Sequence, residues 1–176
     1  MNQNINLDRP LIVGPETPQK PYPYAISGTV VKGYGRGSKE LGIPTANLSE
    51  EALETMACDF ETGVYYGWVQ IGEVNSEVYP MVMSLGWNPY YKNEKRSAAF
   101  DGLGIKEVHV IHEFPEDFYG VDIRVLVLGY VRPEQNYPSL DALIRDIRTD
   151  VEAANQSLKR KAYDDLRSHE LFTTRQ

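Results

Sequence analysis

Glycine is concentrated in residues 32–39, where Gly33, Gly35 and Gly37 stand at alternate positions. Without a Cβ atom, these residues let the backbone turn sharply and approach a ligand closely. Their N–H groups, with Lys39 beside them, suit the oxygens of a phosphate. The spacing matches neither the P-loop nor the dinucleotide fingerprint. The segment therefore predicts either a phosphate-binding loop or a flexible hairpin loop.

A hydroxyl and an amide follow behind Pro44, at Thr45 and Asn47. In an extended segment these two residues lie on the same side of the chain. Both offer neutral oxygen atoms, and Mg²⁺ favours oxygen ligands that are completed by water and substrate phosphates. The same pair also suits a turn closed by local side-chain hydrogen bonds, and the spacing alone favours that turn.

Residues 106–114 alternate as a strand does. One face would carry Val108, Val110, His112 and Phe114, and the other Glu107, His109, Ile111 and Glu113. Glu107 is a candidate general base, although a lone strand glutamate is more often only an exposed carboxylate. His109 and His112 suit strand positions better than a zinc site, because no third ligand stands nearby in the sequence.

Short strand patterns separated by turn residues fill the middle of the chain. They cover residues 25–31, 63–71, 78–85, 106–114 and 122–131. Asn75 and Ser76 suit a hairpin turn, and Pro80 suits an edge or bulge position. Five or six short strands before any long helix favour an antiparallel barrel or sandwich over alternating strands and helices.

A helix is predicted to follow Ser139, a good N-cap residue. Apolar residues then recur at spacings of three and four, which predicts one apolar stripe on a helix of about five turns packed against the strands. The stripe comprises Leu140, Leu143, Ile144, Ile147, Val151, Ala154 and Leu158. Further along, Leu166, Leu171 and Phe172 are expected to dock a final turn.

Five of the 11 prolines fall within the first 23 residues. Proline lacks an N–H group and cannot support a regular hydrogen-bond ladder. Residues 1–23 are therefore expected to form an extended arm that lies on a single domain of residues 24–176.

The chain carries 18 Lys and Arg residues against 25 Asp and Glu residues, a net charge of −7. This balance disfavours long-range attraction to nucleic acid or anionic lipid. Cys58 is the only cysteine, so no intrachain disulfide can form. No long apolar run or secretory signal is visible, and a cytoplasmic monomer is expected.

Several blocks, in the same order, resemble the riboflavin kinase family, of the monofunctional eukaryotic type. The first comprises residues 35–39 (GRGSK) and 42–47 (GIPTAN). Downstream blocks are residues 62–68 (TGVYYGW), 84–93 (SLGWNPYYKN), 107–109 (EVH), 117–120 (DFYG) and 129–134 (GYVRPE), followed by the helix that begins at Ser139. The resemblance covers roughly residues 22–158.

This resemblance implies a mainly β fold: a six-stranded antiparallel Greek-key barrel with a long C-terminal helix, here preceded by the proline-rich arm. It also implies transfer of the ATP γ-phosphate to the 5′-hydroxyl of riboflavin, giving FMN and ADP. ATP and riboflavin would be the small-molecule partners. Mg²⁺ would be the metal, with zinc or manganese as alternatives.

The resemblance also assigns roles to residues of this chain. Gly33, Gly35, Gly37, Lys39, Thr45 and Tyr119 would contact the nucleotide and its phosphates. Thr45 and Asn47 would hold the metal, and Glu107 would act as the general base. Val110, His112, Arg132, Gln135 and Leu140 would contact the flavin.

The sequence departs from the family pattern in the segment before the predicted catalytic strand. Residues 98–106 separate Ser97 from Glu107, where the family has about one residue, and are interpreted as an inserted surface loop. Gln135 also stands where some members carry lysine. Two alternatives remain open: a flavin-binding barrel without kinase activity, and a nucleic-acid-binding barrel, which the acidic balance disfavours.

Overall fold

A computed structural model of the chain describes residues 5–31, 45–48, 60–87, 103–110 and 120–173. Among these described residues, six strands come first and helices follow. The strands are β1 (Tyr24–Val31), β2 (Thr45–Leu48), β3 (Gly63–Ile71), β4 (Val78–Trp87), β5 (Leu103–Val110) and β6 (Asp122–Arg132). The helices are α1 (Leu140–Leu158) and α2 (Lys161–Asp164), followed by two 3₁₀ turns, Asp165–Ser168 and Glu170–Phe172. Within these ranges, no helix has both the length and the apolar character needed to cross a membrane.

All the strand pairs are antiparallel. The pairings follow the order β1-β2-β5-β4-β3-β6, and β1 pairs with β6 as well as with β2. β3, β4 and β5 are consecutive neighbours, and β6 returns beside β3, which is the Greek-key arrangement. The prediction of a mainly β, antiparallel fold with a C-terminal helix is confirmed.

Alternation along the strands divides the core between two faces of the sheet. The inner face carries a buried cluster that includes Tyr65, Met81, Met83, Leu85 and Val125. The outer face carries a second cluster, in which Val64, Tyr66, Trp68, Val82 and Leu126 pack against Ala154, Leu158, Tyr163, Leu171 and Phe172. Trp68 is therefore a packing residue, and its Nε1 donates a hydrogen bond to the Tyr163 carbonyl oxygen at 2.9 Å.

The long helix begins where the sequence predicts, because the Ser139 hydroxyl accepts a hydrogen bond from the Ala142 N–H. Most of the predicted apolar stripe is confirmed: Leu143, Ile144 and Ile147 are half-buried, and Val151, Ala154 and Leu158 pack in the outer cluster. Leu140 is 52% exposed, so its assignment to the packed stripe is wrong. The fully buried positions of α1 before Ala153 are polar: Asp146, Thr149 and Asp150. Their burial reflects contacts with the N-terminal segment.

Residues 5–23 contain no helix or strand and run along α1. Backbone N–H groups of Asn6 and Val13 donate to the hydroxyls of Thr149 and Ser157, at 2.8 and 3.0 Å. Further on, the Arg160 guanidinium donates to three backbone carbonyls of the arm, those of Val13, Gly14 and Pro15, at 2.7–2.8 Å. Side chains on α1 and just after it thus provide hydrogen-bond partners for backbone groups of the arm, which forms no strand pairing.

The strand boundaries correct one interpretation made from the sequence. Residues 103–106 were expected to belong to an inserted loop, but they form the start of β5. Leu103, Ile105 and Lys106 lie opposite Trp87, Gly86 and Leu85 of β4. β4 consequently extends to Trp87, beyond its predicted end. Residues 98–102 lie outside the described part of the chain.

Turn residues explain the hairpin between β3 and β4. Asn75 has a φ of 66°, a left-handed conformation that asparagine tolerates well. Pro80 lies opposite Trp68 of β3, whereas the pairing of β4 with β5 begins only at Met81. Within the described residues β5 ends at Val110, opposite Met81, so the edge or bulge position of Pro80 stays a prediction.

Candidate functional site

The predicted metal and base residues lie on adjacent strands. β2 is inserted between β1 and β5, and Asn47 lies opposite Glu107 in this pairing. Thr45 lies opposite His109 in the same pair of strands. Residues directly opposite each other in antiparallel strands occupy the same face of the sheet. Thr45, Asn47 and Glu107 therefore belong to one surface, although about sixty residues separate Asn47 from Glu107.

The row that starts at Asn47 continues across three more strands. Glu107 lies opposite Ser84 of β4, Ser84 opposite Val64 of β3, and Val64 opposite Arg132 of β6. Three interstrand steps therefore separate Glu107 from Arg132, a span of about 14 Å at the usual strand spacing. Val64 packs in the outer cluster, so the row runs along the outer face of the sheet.

A β-bulge decides on which face Arg132 lies. Tyr65 pairs with Tyr130, but the preceding Val64 pairs with Arg132, so one residue of β6 is inserted at this point. Such an insertion reverses the face on which the following residues lie. Tyr130 packs against the inner cluster, whereas Arg132 joins the row on the outer face.

A groove of about 180 Å³ lies between this row and α1. Its walls come from three elements: the outer face of the sheet, the segment after β6, and the helix. The lining residues are Val64, Val82, Ser84, Arg132, Glu134, Gln135, Tyr137, Leu143, Ile147 and Asp150. The groove is thus apolar on the sheet and helix sides and polar where the chain leaves β6, a combination typical of sites for small amphipathic ligands.

Arg132 is held beside the groove by a buried carboxylate on α1. Its Nε and one terminal nitrogen donate to the two oxygens of Asp150, at 2.9 and 2.8 Å. Burial disfavours the charged guanidinium, but the hydrogen bond and the charge of Asp150 outweigh it and raise the pKa of Arg132. Burial also raises the pKa of the Asp150 carboxyl, against the opposing effect of Arg132 and Arg9. The bidentate geometry fixes the guanidinium in direction as well as in position.

A second carboxylate on α1 holds another wall of the groove. Asp146 accepts a hydrogen bond from the Tyr137 hydroxyl and an ion-pairing hydrogen bond from Arg9, the latter at 2.7 Å. The Arg132 guanidinium carbon lies 5.8 Å from the centre of the Tyr137 ring. Arg9, Tyr137, Asp146 and Asp150 were not among the residues predicted from the sequence. The charged residues Asp146 and Asp150 at spacing four on one helix were the only available signal.

Backbone hydrogen bonds bring together the ends of the two segments predicted to bind the nucleotide. The Gly120 N–H donates to the Val30 carbonyl oxygen at 2.8 Å, and the Val30 N–H donates to the Val121 oxygen at 2.9 Å. Val31, just before the glycine-rich segment, lies opposite Asn47. Val30 itself lies opposite Leu48 of β2. Of the described residues that flank the two segments, Val31 therefore lies in the part of β1 that pairs with β2, and Gly120 is hydrogen-bonded to it.

Comparison with known proteins decides the family. The flavokinase model, described as riboflavin kinase, matches residues 20–158. The chain belongs to the riboflavin kinase family. It is 47% identical over 170 residues to a riboflavin kinase of Pyricularia oryzae, an alignment that covers 88% of this chain and 81% of that protein. It is also 48% identical over 137 residues to human riboflavin kinase, with coverage of 78% and 82%.

A solved structure of a riboflavin kinase, from Trypanosoma brucei, has the same fold. The TM-score is 0.66 at 26% identity, and the alignment covers 86% of this chain and 90% of that one. The resemblance stated from the sequence motifs is therefore confirmed at the level of the family. The coarse fold, an antiparallel sheet with a C-terminal helix, is also that of the family.

Some of the residues predicted to bind riboflavin line the groove, and others do not. Arg132 and Gln135 line the groove, whereas Leu140 is half-exposed and is not among the lining residues. Val110 lies opposite Met81, whose side chain packs inside the sheet. Val110 therefore belongs to the row adjoining the inner cluster, not to the row of Glu107. Predictions for Gly33, Gly35, Gly37, Lys39, His112 and Tyr119 fall outside the described residues.

A larger hollow lies at the opposite end of β6 and carries none of the predicted residues. It has a volume of about 560 Å³ and is lined by Ser27, Gly28, Thr29, Glu73, Val74, Asp122, Ile123 and Arg124. Arg124 is already engaged there, since it donates hydrogen bonds to Gln70 and to the Gly72 carbonyl oxygen. The smaller groove beside Arg132 is the better candidate, because it adjoins the row that contains Glu107.

Proposed function

We propose that this protein transfers the γ-phosphate of ATP to the 5′-hydroxyl of riboflavin, giving FMN and ADP. Membership of the riboflavin kinase family supports the reaction. The observation that carries it is the row on the outer face of the sheet. That row joins the predicted metal and base strands to the groove beside Arg132.

The metal and phosphate half of the site is assigned to β2 and the segment before it. Neutral oxygens of Thr45 and Asn47 fit Mg²⁺, which prefers oxygen ligands completed by substrate phosphates. When bound, the ion neutralises charge on the transferring phosphoryl group. Gly33, Gly35, Gly37 and Lys39 are proposed to contact the ATP phosphates, and Tyr119 the nucleotide. Pairing of Val31 with Asn47 supports this assignment, because Val31 directly precedes the glycine-rich segment in the sequence.

Glu107 is proposed as the general base. Its carboxylate accepts the proton of the riboflavin 5′-hydroxyl as that oxygen bonds to the γ-phosphorus, and the bond from the γ-phosphorus to the ADP oxygen breaks. A positioned base of this kind contributes about 10²–10⁴-fold to the rate. Its register neighbours support the role, since Asn47 lies on one side and Ser84, a groove residue, on the other.

The flavin half of the site is assigned to the groove between the sheet and α1. Val64, Val82, Leu143 and Ile147 offer an apolar surface for the ring system. Polar contacts come from Arg132 and Gln135. Val110 and Leu140 do not fit this groove, because Val110 belongs to the inner row and Leu140 is not among the lining residues. His112 is still proposed as a flavin contact. This arrangement directs the ribityl chain along the row toward Glu107.

The finer architecture is proposed along with the activity. Pairing of β1 with both β2 and β6 supports closure of the sheet into the six-stranded barrel of the family. Residues 1–23 would form the arm and residues 24–176 the catalytic domain. We propose a cytoplasmic monomer that binds neither nucleic acid nor membranes, consistent with the net charge of −7.

The test compares the parent with Glu107→Gln in an assay of FMN formation from riboflavin and Mg²⁺-ATP, analysed by chromatography. We expect the rate to fall by about tenfold or more, while riboflavin binding, measured by quenching of flavin fluorescence, stays parental. The matched control is Glu77→Gln, whose exposed carboxylate pairs with Arg167 at 3.0 Å, and it should react like the parent.

Two results would contradict this assignment. Near-parental turnover by Glu107→Gln would remove Glu107 as the base while leaving the kinase activity standing. A parent that binds riboflavin but forms no FMN would point to a flavin-binding protein without kinase activity.

A further inference from the structure

A cluster of four charges joins the N-terminal arm, β6 and α1. Arg9 donates to Asp146 at 2.7 Å and to Asp150 at 2.6 Å, and Arg132 donates to Asp150. Arg132 also lies 3.6 Å from Asp146. The side chains are 17% exposed for Arg9, 10% for Arg132, 11% for Asp146 and 2% for Asp150. Two cations therefore balance two anions in a largely buried site.

Each carboxylate of the cluster directs a different wall of the groove. Asp150 fixes the Arg132 guanidinium through two hydrogen bonds. Asp146 accepts from the Tyr137 hydroxyl. Both Arg132 and Tyr137 line the groove, whereas Arg9 does not. The geometry of the groove thus depends on which hydrogen bonds Asp146 and Asp150 accept from Arg9, Arg132 and Tyr137.

Arg9 determines that sharing, because it is the partner that contacts both carboxylates within hydrogen-bond distance. Without its charge, Arg132 would face two anions alone, one at 2.8 Å and one at 3.6 Å. An unbalanced buried charge is costly, so the site would relax. Any movement of Arg132 toward Asp146 would also disturb the Tyr137 contact.

We propose that Arg9 is a positioning residue of the riboflavin groove. Through Asp146 and Asp150 it holds Arg132 and Tyr137 in the arrangement that receives the flavin. Arg9 lies outside residues 20–158, the part matched by the family, so the arm adds a determinant that the matched domain does not contain. This inference rests on the proposed function, since it assigns the groove to riboflavin.

The experiment uses the full chain and compares the parent with Arg9→Gln. Riboflavin affinity is measured by quenching of flavin fluorescence, and KM for riboflavin and for ATP, with kcat, are measured from FMN formation. We expect the riboflavin Kd and KM of the variant to rise by about tenfold, with the ATP KM and kcat unchanged. A general loss of structure would also change kcat and the KM for ATP, so a change in riboflavin binding alone would indicate positioning of the groove.

Two further variants separate positioning from simple anchoring of the arm. Arg160→Gln removes the guanidinium that binds the carbonyls of Val13, Gly14 and Pro15 but leaves the charge cluster intact, so riboflavin affinity should stay parental. The double variant Arg9→Gln with Asp146→Asn restores a balance of one cation and one anion. The asparagine oxygen can still accept from Tyr137, and riboflavin affinity should return close to the parental value.

The outcomes distinguish the two proposals. If the parent does not bind riboflavin, the proposed function fails. If the parent binds riboflavin and Arg9→Gln binds it equally well, only the role of Arg9 is overturned. Equal losses in Arg9→Gln and Arg160→Gln, or no recovery in the double variant, would also overturn it. Should Arg9→Gln fold poorly by circular dichroism, the double variant decides: parental affinity supports the role and weak binding refutes it.

Discussion

Asp150 is the carboxylate on which the charge cluster depends, and Asp150→Asn tests its contribution to stability. The side chain is 2% exposed and accepts three charge-assisted hydrogen bonds, at 2.6, 2.9 and 2.8 Å. Asparagine would keep one acceptor oxygen but would turn an N–H₂ group toward the guanidinium groups. Arg9 and Arg132 would then share only the charge of Asp146.

The expected loss in unfolding free energy is about 3 kcal/mol, the lower range for removing one partner of a buried ion pair. For a chain of 176 residues, each kcal/mol corresponds to about 2–4 °C in Tm, so the midpoint should fall by about 6–12 °C. Urea unfolding followed by tryptophan fluorescence measures the free energy directly. The slope of the transition should stay parental if only stability changes.

Asp165→Asn is the matched control, because it removes the same charge from an exposed pair. Asp165 accepts from Lys161 at 3.1 Å, with side chains 60% and 89% exposed. Exposed pairs of this kind contribute about 0–1 kcal/mol, so the variant should unfold almost like the parent. A loss below about 1 kcal/mol in Asp150→Asn, or equal losses in both variants, would refute the view that the buried cluster stabilises the fold.

Two further predictions concern other parts of the same framework. Burial alone would raise the pKa of Asp146, but hydrogen bonds from Tyr137 and Arg9 lower it below its ordinary value of 3.8. The stabilisation is therefore complete at neutral pH and is lost as pH falls below about 4. Urea midpoints should show the difference between the parent and Asp146→Asn narrowing from about pH 6 to about pH 3, and a constant difference would contradict the shift. At Gly67 an added Cβ would lie 1.9 Å from the Leu126 carbonyl oxygen, whereas at Gly72, with φ +94°, it would meet nothing within 4 Å. Gly67→Ala should cost about 3 kcal/mol or more and Gly72→Ala only about 1 kcal/mol in urea unfolding, and equal costs would contradict the close approach of β3 to β6.

Local patterns in the sequence were enough for the elements that carry their own signals. β3 is predicted to the residue by its aromatic and β-branched run, because side-chain alternation and bounding turn residues lie within the segment. The start of α1 is predicted by Ser139, whose capping hydrogen bond reaches only three residues ahead. The family is also determined by the sequence, since its motifs are linear.

The sequence failed where pairing partners override local preference. Gly102 and Gly104 suit a loop, yet residues 103–106 extend β5 because β4 continues beside them to Trp87. Leu140 was expected to pack at the start of α1 but is 52% exposed. Asp146 and Asp150 are buried on the same helix, because two arginines neutralise them. Neither arginine belongs to α1, so the sequence of the helix does not predict this burial.

The candidate site divides in the same way. The sequence and its resemblance to the family predict the residue types: glycines for phosphate, neutral oxygens for the metal, a carboxylate for the base, and an arginine near the flavin. Tertiary structure alone decides that Asn47 lies opposite Glu107 and that Arg132 shares their row. The register between strands that are distant in sequence depends on the pairing of the whole sheet. The β-bulge before Arg132 also moves this residue to the other face of the sheet, and no residue pattern in β6 predicts that bulge. The contact of Arg9 with α1, some 140 residues away, is likewise a product of folding that no motif encodes.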